Sequence, residues 1–174
     1  MRDVEIRPGG LNKGESPMST ATGQIDSSRL IFPGLAGLYE SVAPYSYSII
    51  RFIAGAILVY HGYGKLFGGI IQGVADHVAA PLGLPAPLAW AYFLGGLEFF
   101  GGIALAVGFL TRPIALMLTV EFLIITFWHY PNGFSFSSPK GGFEYPLVLL
   151  ILYAAIFFRG GGRLSVDKMI GKEF

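Results

Sequence analysis

The amino-acid sequence predicts an all-α fold, an integral membrane four-helix bundle of antiparallel up-down topology with both termini on the same side. Three observations predict it. The 174-residue chain is 53% hydrophobic and 13% charged, whereas a soluble domain carries roughly 25% charged residues. So short a chain has too much surface to hide that apolar excess in a core, and lipid as solvent removes the contradiction. Secondly, four apolar windows have the length, or nearly the length, needed to cross a bilayer, which is about 20 residues. Thirdly, several ionisable side chains recur inside those windows, where each needs a partner across the bundle.

Residues 1–45 form a polar N-terminal region rich in Gly, Ser and Thr, expected to be a disordered tail. It lacks the basic start, apolar run and small-residue cleavage site of a secretory signal. Within it, 30–39 (LIFPGLAGLY) is too short to span and is interrupted by Pro33. That segment is expected to lie along the membrane surface. Residues 46–168 form the membrane domain, with spans at about 45–67, 87–110, 113–130 and 144–159. Thr111-Arg112-Pro113 makes the tight turn between the second and third spans, with Pro113 suited to a first helical position. The link at 68–86 reads as a longer loop with Pro81 and Pro85, and 131–142 as a polar loop. Gly160-Gly161-Gly162 ends the fourth helix, and 169–174 is a cytoplasmic C-terminal end.

Positive charge sets orientation. The side holding the tail, Arg112 and the C-terminus carries nine of the 12 Lys and Arg residues. Lys65 and Lys140 fall on the opposite side, and Arg51 lies inside the first span. Both termini are therefore expected in the cytoplasm, with a bacterial plasma membrane as the location. The chain contains no cysteine, which excludes a structural disulfide, dithiol cycling and thiolate metal ligation. It has no basic stripe to suggest nucleic acid.

The ionisable residues sort into two groups once the helices are laid antiparallel. Glu98 and Glu121 fall near the middle of the second and third spans, and the long stem of Arg51 can reach toward them. An arginine can bridge two carboxylates, and if the two lie within about 6 Å of each other one of them resists ionisation and holds a proton. These three are the candidates for proton handling. A purely structural ion pair that locks helix register is the competing reading. His61, Lys65, His129 and Glu144 form the outer group, all at one face of the membrane. They are candidate ligands for the polar end of a bound molecule, with histidine moving protons. Snorkelling, capping and loop hydrogen bonds would account for them equally. Two glycine-bearing stripes, Arg51-Gly55-Leu58-Gly62-Lys65 and Gly95-Glu98-Gly102, suit close helix approach. Haem between His61 and His129 is disfavoured, because both sit near helix ends without an attachment motif. No pair of residues has tight metal-ligand spacing, so no metal site is assigned.

The run from His61 to Gly68 (HGYGKLFG), Gly83-Leu84-Pro85, Leu97-Glu98-Phe99-Phe100-Gly101-Gly102 and Gly108-Phe109-Leu110-Thr111-Arg112 together resemble the DoxX family of small membrane proteins. The resemblance continues through His129-Tyr130-Pro131-Asn132-Gly133-Phe134, Glu144-Tyr145-Pro146 and Arg163-Leu164-Ser165-Val166-Asp167. It implies a four-helix membrane bundle acting as an oxidoreductase subunit. Relatives in that family include a membrane subunit of a thiosulfate:quinone oxidoreductase and proteins that associate with redox partners. Its motif positions coincide with His61, Lys65, Glu98, Arg112, His129 and Glu144, whereas Arg51 and Glu121 rest on membrane depth. Covalent sulfur transfer does not carry over to a chain without cysteine.

Three functions follow as expectations. The first is a redox-associated subunit, catalytic only with a partner, that binds a quinone-like or other small apolar ligand. A non-catalytic scaffold for a soluble redox protein is the alternative. A small transporter fits less well, because four short spans are few for alternating access and no broken-helix repeat is visible. Homo-oligomerisation is compatible with all three.

Overall fold

The computed structural model describes residues 27–173, so most of the expected disordered tail lies outside the described residues. Among the described residues every regular element is helical. The chain divides into two compact units, before and after the Ala43–Pro44 junction. The described part of the first unit holds short 3-10 turns at Ser27–Arg29 and Pro33–Leu35, and then begins α1. Ile31 and Phe32 there are 90% and 70% exposed.

α1 runs Ala36–Leu66, which corrects the expectation that helix starts near 45. Pro44 lies inside it and removes one i→i−4 hydrogen bond without ending the helix. After it come α2 (Ile71–Val74), which continues as a π turn over Ala75–Ala79, and α3 (Pro87–Gly96). The link at 68–86 is therefore partly helical, not a plain loop. A second π turn at Leu97–Gly101 joins α3 to α4 (Gly102–Val107). α5 covers Thr111–His129, α6 Glu144–Arg159 and the short α7 Val166–Met169.

Three helical stretches are long and apolar enough to cross a membrane: Pro33–Leu66, Pro87–Val107 and Thr111–Asn132. α6, with 16 residues, reaches only about 24 Å at 1.5 Å per residue, short of a ~30 Å hydrocarbon core. Large apolar side chains cover the outside: Phe127 is 69% exposed, Ile151 61% and Phe158 76%. Water would penalise such a surface over a whole molecule, and acyl chains accept it.

The interior is small and tightly packed. Ala54, Leu58, Leu105, Leu118, Phe122, Leu149, Tyr153 and Ile156 form its centre. The two glycine stripes face each other. A Cβ built on Gly102 would lie 2.8 Å from the Gly55 carbonyl oxygen, and one on Gly62 would lie 2.7 Å from Phe99 Cα. α1 and the α3–α4 stretch thus touch backbone to backbone. α6 closes on α5 through the Phe122 and Tyr153 rings, 5.2 Å apart, and on α1 through Tyr153 OH, which donates to the Ala54 carbonyl at 3.2 Å.

The segment after α6 shuts one end. α5 has no side-chain cap of its own, and Leu110 before it stands at φ 48°. Asp167, buried on α7, supplies the cap from a distance. Its carboxylate accepts Leu110 N–H at 2.8 Å and Thr111 N–H at 2.9 Å. Replacing Asp167 by alanine strands both donors, at about 1–3 kcal/mol each for a buried unmade bond. Asp167→Ala should lower the unfolding free energy in detergent by about 2–4 kcal/mol, with Asp167→Asn recovering part of it through its one remaining acceptor. An unchanged unfolding midpoint would show that water reaches this end.

Candidate functional site

The site is built around one lysine and two glutamates. Lys65, on the last turn of α1, donates from Nζ to Glu98 Oε2. The side chains of that ion pair are 18% and 3% exposed. Glu98 stands on the π turn Leu97–Gly101, between Gly95-Gly96 and Gly101-Gly102. A π turn inserts a residue into the helical register and re-aims the side chains that follow, and such turns recur at functional sites. Glycine on both flanks lets α1 approach closely enough for the lysine to reach. Glu121 on α5 is the third member and is 5% exposed. Glu98 and Lys65 are the ionisable groups that act on its carboxyl. Its Oε2 is buried without a hydrogen-bond partner. An unpartnered buried acceptor is costly unless a proton or ligand meets it.

Lys65 and Glu121 open onto a cavity of about 560 Å³. His77 and His129 add two imidazoles to its wall. Trp90 and Trp128, the only tryptophans in the sequence, also line it, and the rest is aliphatic. Its shape and chemistry, apolar walls with a few convergent polar groups, are those of a small-molecule site. His129 is oriented by a contact from Nδ1 to the Ile125 carbonyl at 2.9 Å. Because a carbonyl can only accept, Nδ1 is the donor in that contact, and Nε2 is not used by it.

The sequence-predicted residues are therefore regrouped. Glu98 and Glu121 do come together, but the cation between them is Lys65, not Arg51. Arg51 lies at the middle of α1, 14 residues or about 21 Å along the helix from Lys65. Its guanidinium donates to the carbonyls of Gly161, Ala106 (3.2 Å) and Leu164 (2.6 Å). Even a snorkelling stem does not cover that separation. His61 leaves the group as well: its Nε2 is 3.5 Å from Tyr145 OH, and it lines a different cavity with Ile53, Ile57 and Tyr60. Glu144 is exposed, and its Oε2 accepts Phe136 N–H at 3.2 Å within the 131–142 loop. Among the described residues, no three His, Asp or Glu side chains gather as metal ligands.

Sequence reasoning missed His77, Trp90 and Trp128. His77 was hidden in a segment read as loop, although Val74-Ala75 and Val78-Ala79 repeat at four-residue spacing and signal a helical turn. Both tryptophans lie near helix ends, where amphipathic rings favour the membrane interface, and that position does not exclude lining a cavity.

Comparison with known proteins agrees with the resemblance. The DoxX family model matches residues 46–131. The chain is 27% identical over 126 residues to the inner membrane protein YqjF of Escherichia coli, covering 72% of this chain and 92% of that one. It is also 27% identical over 144 residues to an uncharacterized protein of Haemophilus influenzae, covering 77% and 97%. A second uncharacterized protein of that organism is 30% identical over 105 residues, covering 58% and 66%. No solved structure matches.

Proposed function

Starting from a chain that carries a DoxX domain at residues 46–131, we propose that it is a redox-associated membrane subunit. It binds a quinone-like or other small apolar ligand in the cavity beside Lys65 and Glu121 and exchanges protons with it. α6 completes a four-helix up-down bundle in the bacterial plasma membrane, with both termini cytoplasmic. The positive-charge distribution and the bacterial inner-membrane relative support that placement.

The observation that carries this reading is a buried carboxyl, Glu121, and an ammonium, Lys65, at the wall of an apolar cavity, with the buried Glu98 carboxyl paired to that ammonium behind it. If both acids were ionised, one buried negative charge would have no partner, at a large desolvation cost. The site reaches neutrality when one acid carries a proton. Glu121 is suited to that part, because Lys65 already bonds Glu98. The proton faces the cavity, where the carbonyl or hydroxyl of a bound ring could receive or surrender it. His129 Nε2 and His77 stand on the same wall as exchange partners. Electrons come from, or go to, a soluble partner, since the chain has no thiol of its own.

Because Trp90 and Trp128 both line this cavity, the chain's intrinsic tryptophan fluorescence reports on it directly. A short-chain quinone titrated into purified protein is expected to quench that fluorescence saturably. Val120→Trp, which fills the cavity, should abolish the saturable phase. Glu121→Gln should keep binding and lose proton-coupled turnover with the redox partner. Quenching that rises linearly and identically in all variants would sink the ligand assignment. A scaffold reading predicts that Glu121→Gln leaves both partner binding and turnover intact.

A further inference from the structure

Arg51 is held away from the carboxylate site, and its surroundings make a second one. Three carbonyls satisfy the two terminal nitrogens of its guanidinium, but Nε is buried without a partner. Ser48, one helical turn before it on the same face of α1, has a buried hydroxyl that is also unpartnered. Serine and threonine in a helix ordinarily satisfy the hydroxyl by bonding the carbonyl four residues back. Thr119 and Thr126 do so, at 2.6 Å to Ala115 and Phe122. Ser48 does not. Both residues line one groove of about 330 Å³, with the two unpartnered donor atoms buried just beneath its surface.

The groove walls are Ile49, Phe52, Val107 and Leu164. Ile49 and Phe52 are each 54% exposed on the flank of α1 and, in a bilayer, face acyl chains. Leu164 brings the C-terminal segment to the groove, and that segment carries Arg159, Arg163, Lys168 and Lys172 against Asp167 and Glu173. Asp167 is the acidic group that acts on Arg51, and its oxygens are already engaged by the α5 backbone. The groove thus joins an apolar flank to an excess of positive charge, with unfilled donors where the two meet.

We propose that this groove binds an anionic phospholipid, with its phosphate on Arg51 Nε–H and the Ser48 hydroxyl and an acyl chain along Ile49, Phe52 and Val107. A single χ1 step turns the serine hydroxyl into the groove. The groove wall parts slightly over Arg51 Nε–H while the terminal nitrogens stay on their carbonyls, so the ligand gains a charge-assisted donor from a side chain that is already ordered. Lipid and α1 together then tie down the Gly160–Val166 segment that closes this end of the molecule.

The test uses the full chain in detergent micelles. Retained lipid is measured by native mass spectrometry, and thermal stability with added phosphatidylglycerol, phosphatidylcholine or inorganic phosphate. Phosphatidylglycerol is expected to be retained about tenfold over phosphatidylcholine and to raise the melting temperature, because the two share the phosphate but the choline cation is repelled by the excess of arginine and lysine beside the groove. Ser48→Asp places a carboxylate where the phosphate sits and should erase the preference while leaving the lipid-free protein folded. Ser48→Val, which removes the donor without adding charge, should lower it several-fold. Equal retention of both lipids, or an unchanged preference in both variants, overturns the proposal. A thermal shift matched by inorganic phosphate alone overturns the lipid assignment, because the site would then take a free anion.

Discussion

Replacing Lys65 by methionine is expected to destabilise the folded protein more than any other single change of charge, by about 3 kcal/mol. The loss is not the strength of the Lys65–Glu98 attraction as such. It is the cost of leaving Glu98, 3% exposed, charged in an apolar interior beside a second carboxyl on Glu121. Lys65 is itself 18% exposed, and its residual contact with water puts the loss at the lower end of the ~3–5 kcal/mol seen when a buried pair is broken. The same reasoning predicts rescue. Lys65→Met combined with Glu98→Leu removes both charges and fills the space with apolar volume, so the double variant should recover more than half of the loss. Chemical unfolding of the four species of this cycle in detergent gives the coupling directly. Additive single effects would mean that the pair is solvated, and the cavity beside it would then be a water-filled cleft.

The regrouping of that site shows what sequence can and cannot carry. Apolar window length and charge depletion are properties of composition, and they pointed to helices in lipid without any knowledge of contacts. Helical periodicity also put Gly55, Gly62 and Lys65 on one stripe and Gly95, Glu98 and Gly102 on another, and these stripes do meet. Partnership across the bundle is a different matter, because it depends on axial register. Arg51 and Lys65 lie on the same stripe of α1, 14 residues apart. Depth alone could not tell which of the two would face Glu98. Two local features settle it. The Leu97–Gly101 π turn re-aims Glu98, and Arg51 is held by two carbonyls of the Gly160–Val166 segment and by that of Ala106 on α4. Neither a π turn nor a carbonyl cluster has a residue-type signature. The Asp167 cap was similarly out of reach, since it joins residues more than 50 positions apart. The helical character of 36–44 was obscured by Pro44, which reads as a boundary and here lies inside α1.

Two glycines separated by one residue on α1 should respond to alanine with opposite signs. In an exposed helix interior, glycine to alanine gains about 0.5–1 kcal/mol, because the unfolded chain loses conformational freedom. Gly64, half-buried in the last turn of α1, has room for the methyl: a Cβ built there finds only Ile70 Cδ1, at 3.9 Å, in ordinary contact. Gly64→Ala should therefore be neutral or mildly stabilising. Gly62 lies against the backbone of Phe99, and its added methyl would sit 2.7 Å from Phe99 Cα and from Phe99 Cβ. Backbone cannot rotate away as a long side chain can, so the two helices must separate. Overpacking of this kind costs about 1–3 kcal/mol by itself. Phe99 immediately follows Glu98, so any retreat of the π turn also lengthens the Lys65–Glu98 contact. Gly62→Ala should then lose the stability of the packing seam and part of that of the ion pair. Gly62→Leu should fail to accumulate as folded protein, whereas Gly64→Leu survives. Unfolding midpoints of the two alanine variants, measured side by side in one detergent, decide the matter. If Gly62→Ala were as stable as Gly64→Ala, the helices would not touch at this seam, and the lysine could not be held within reach of Glu98 by the packing described above.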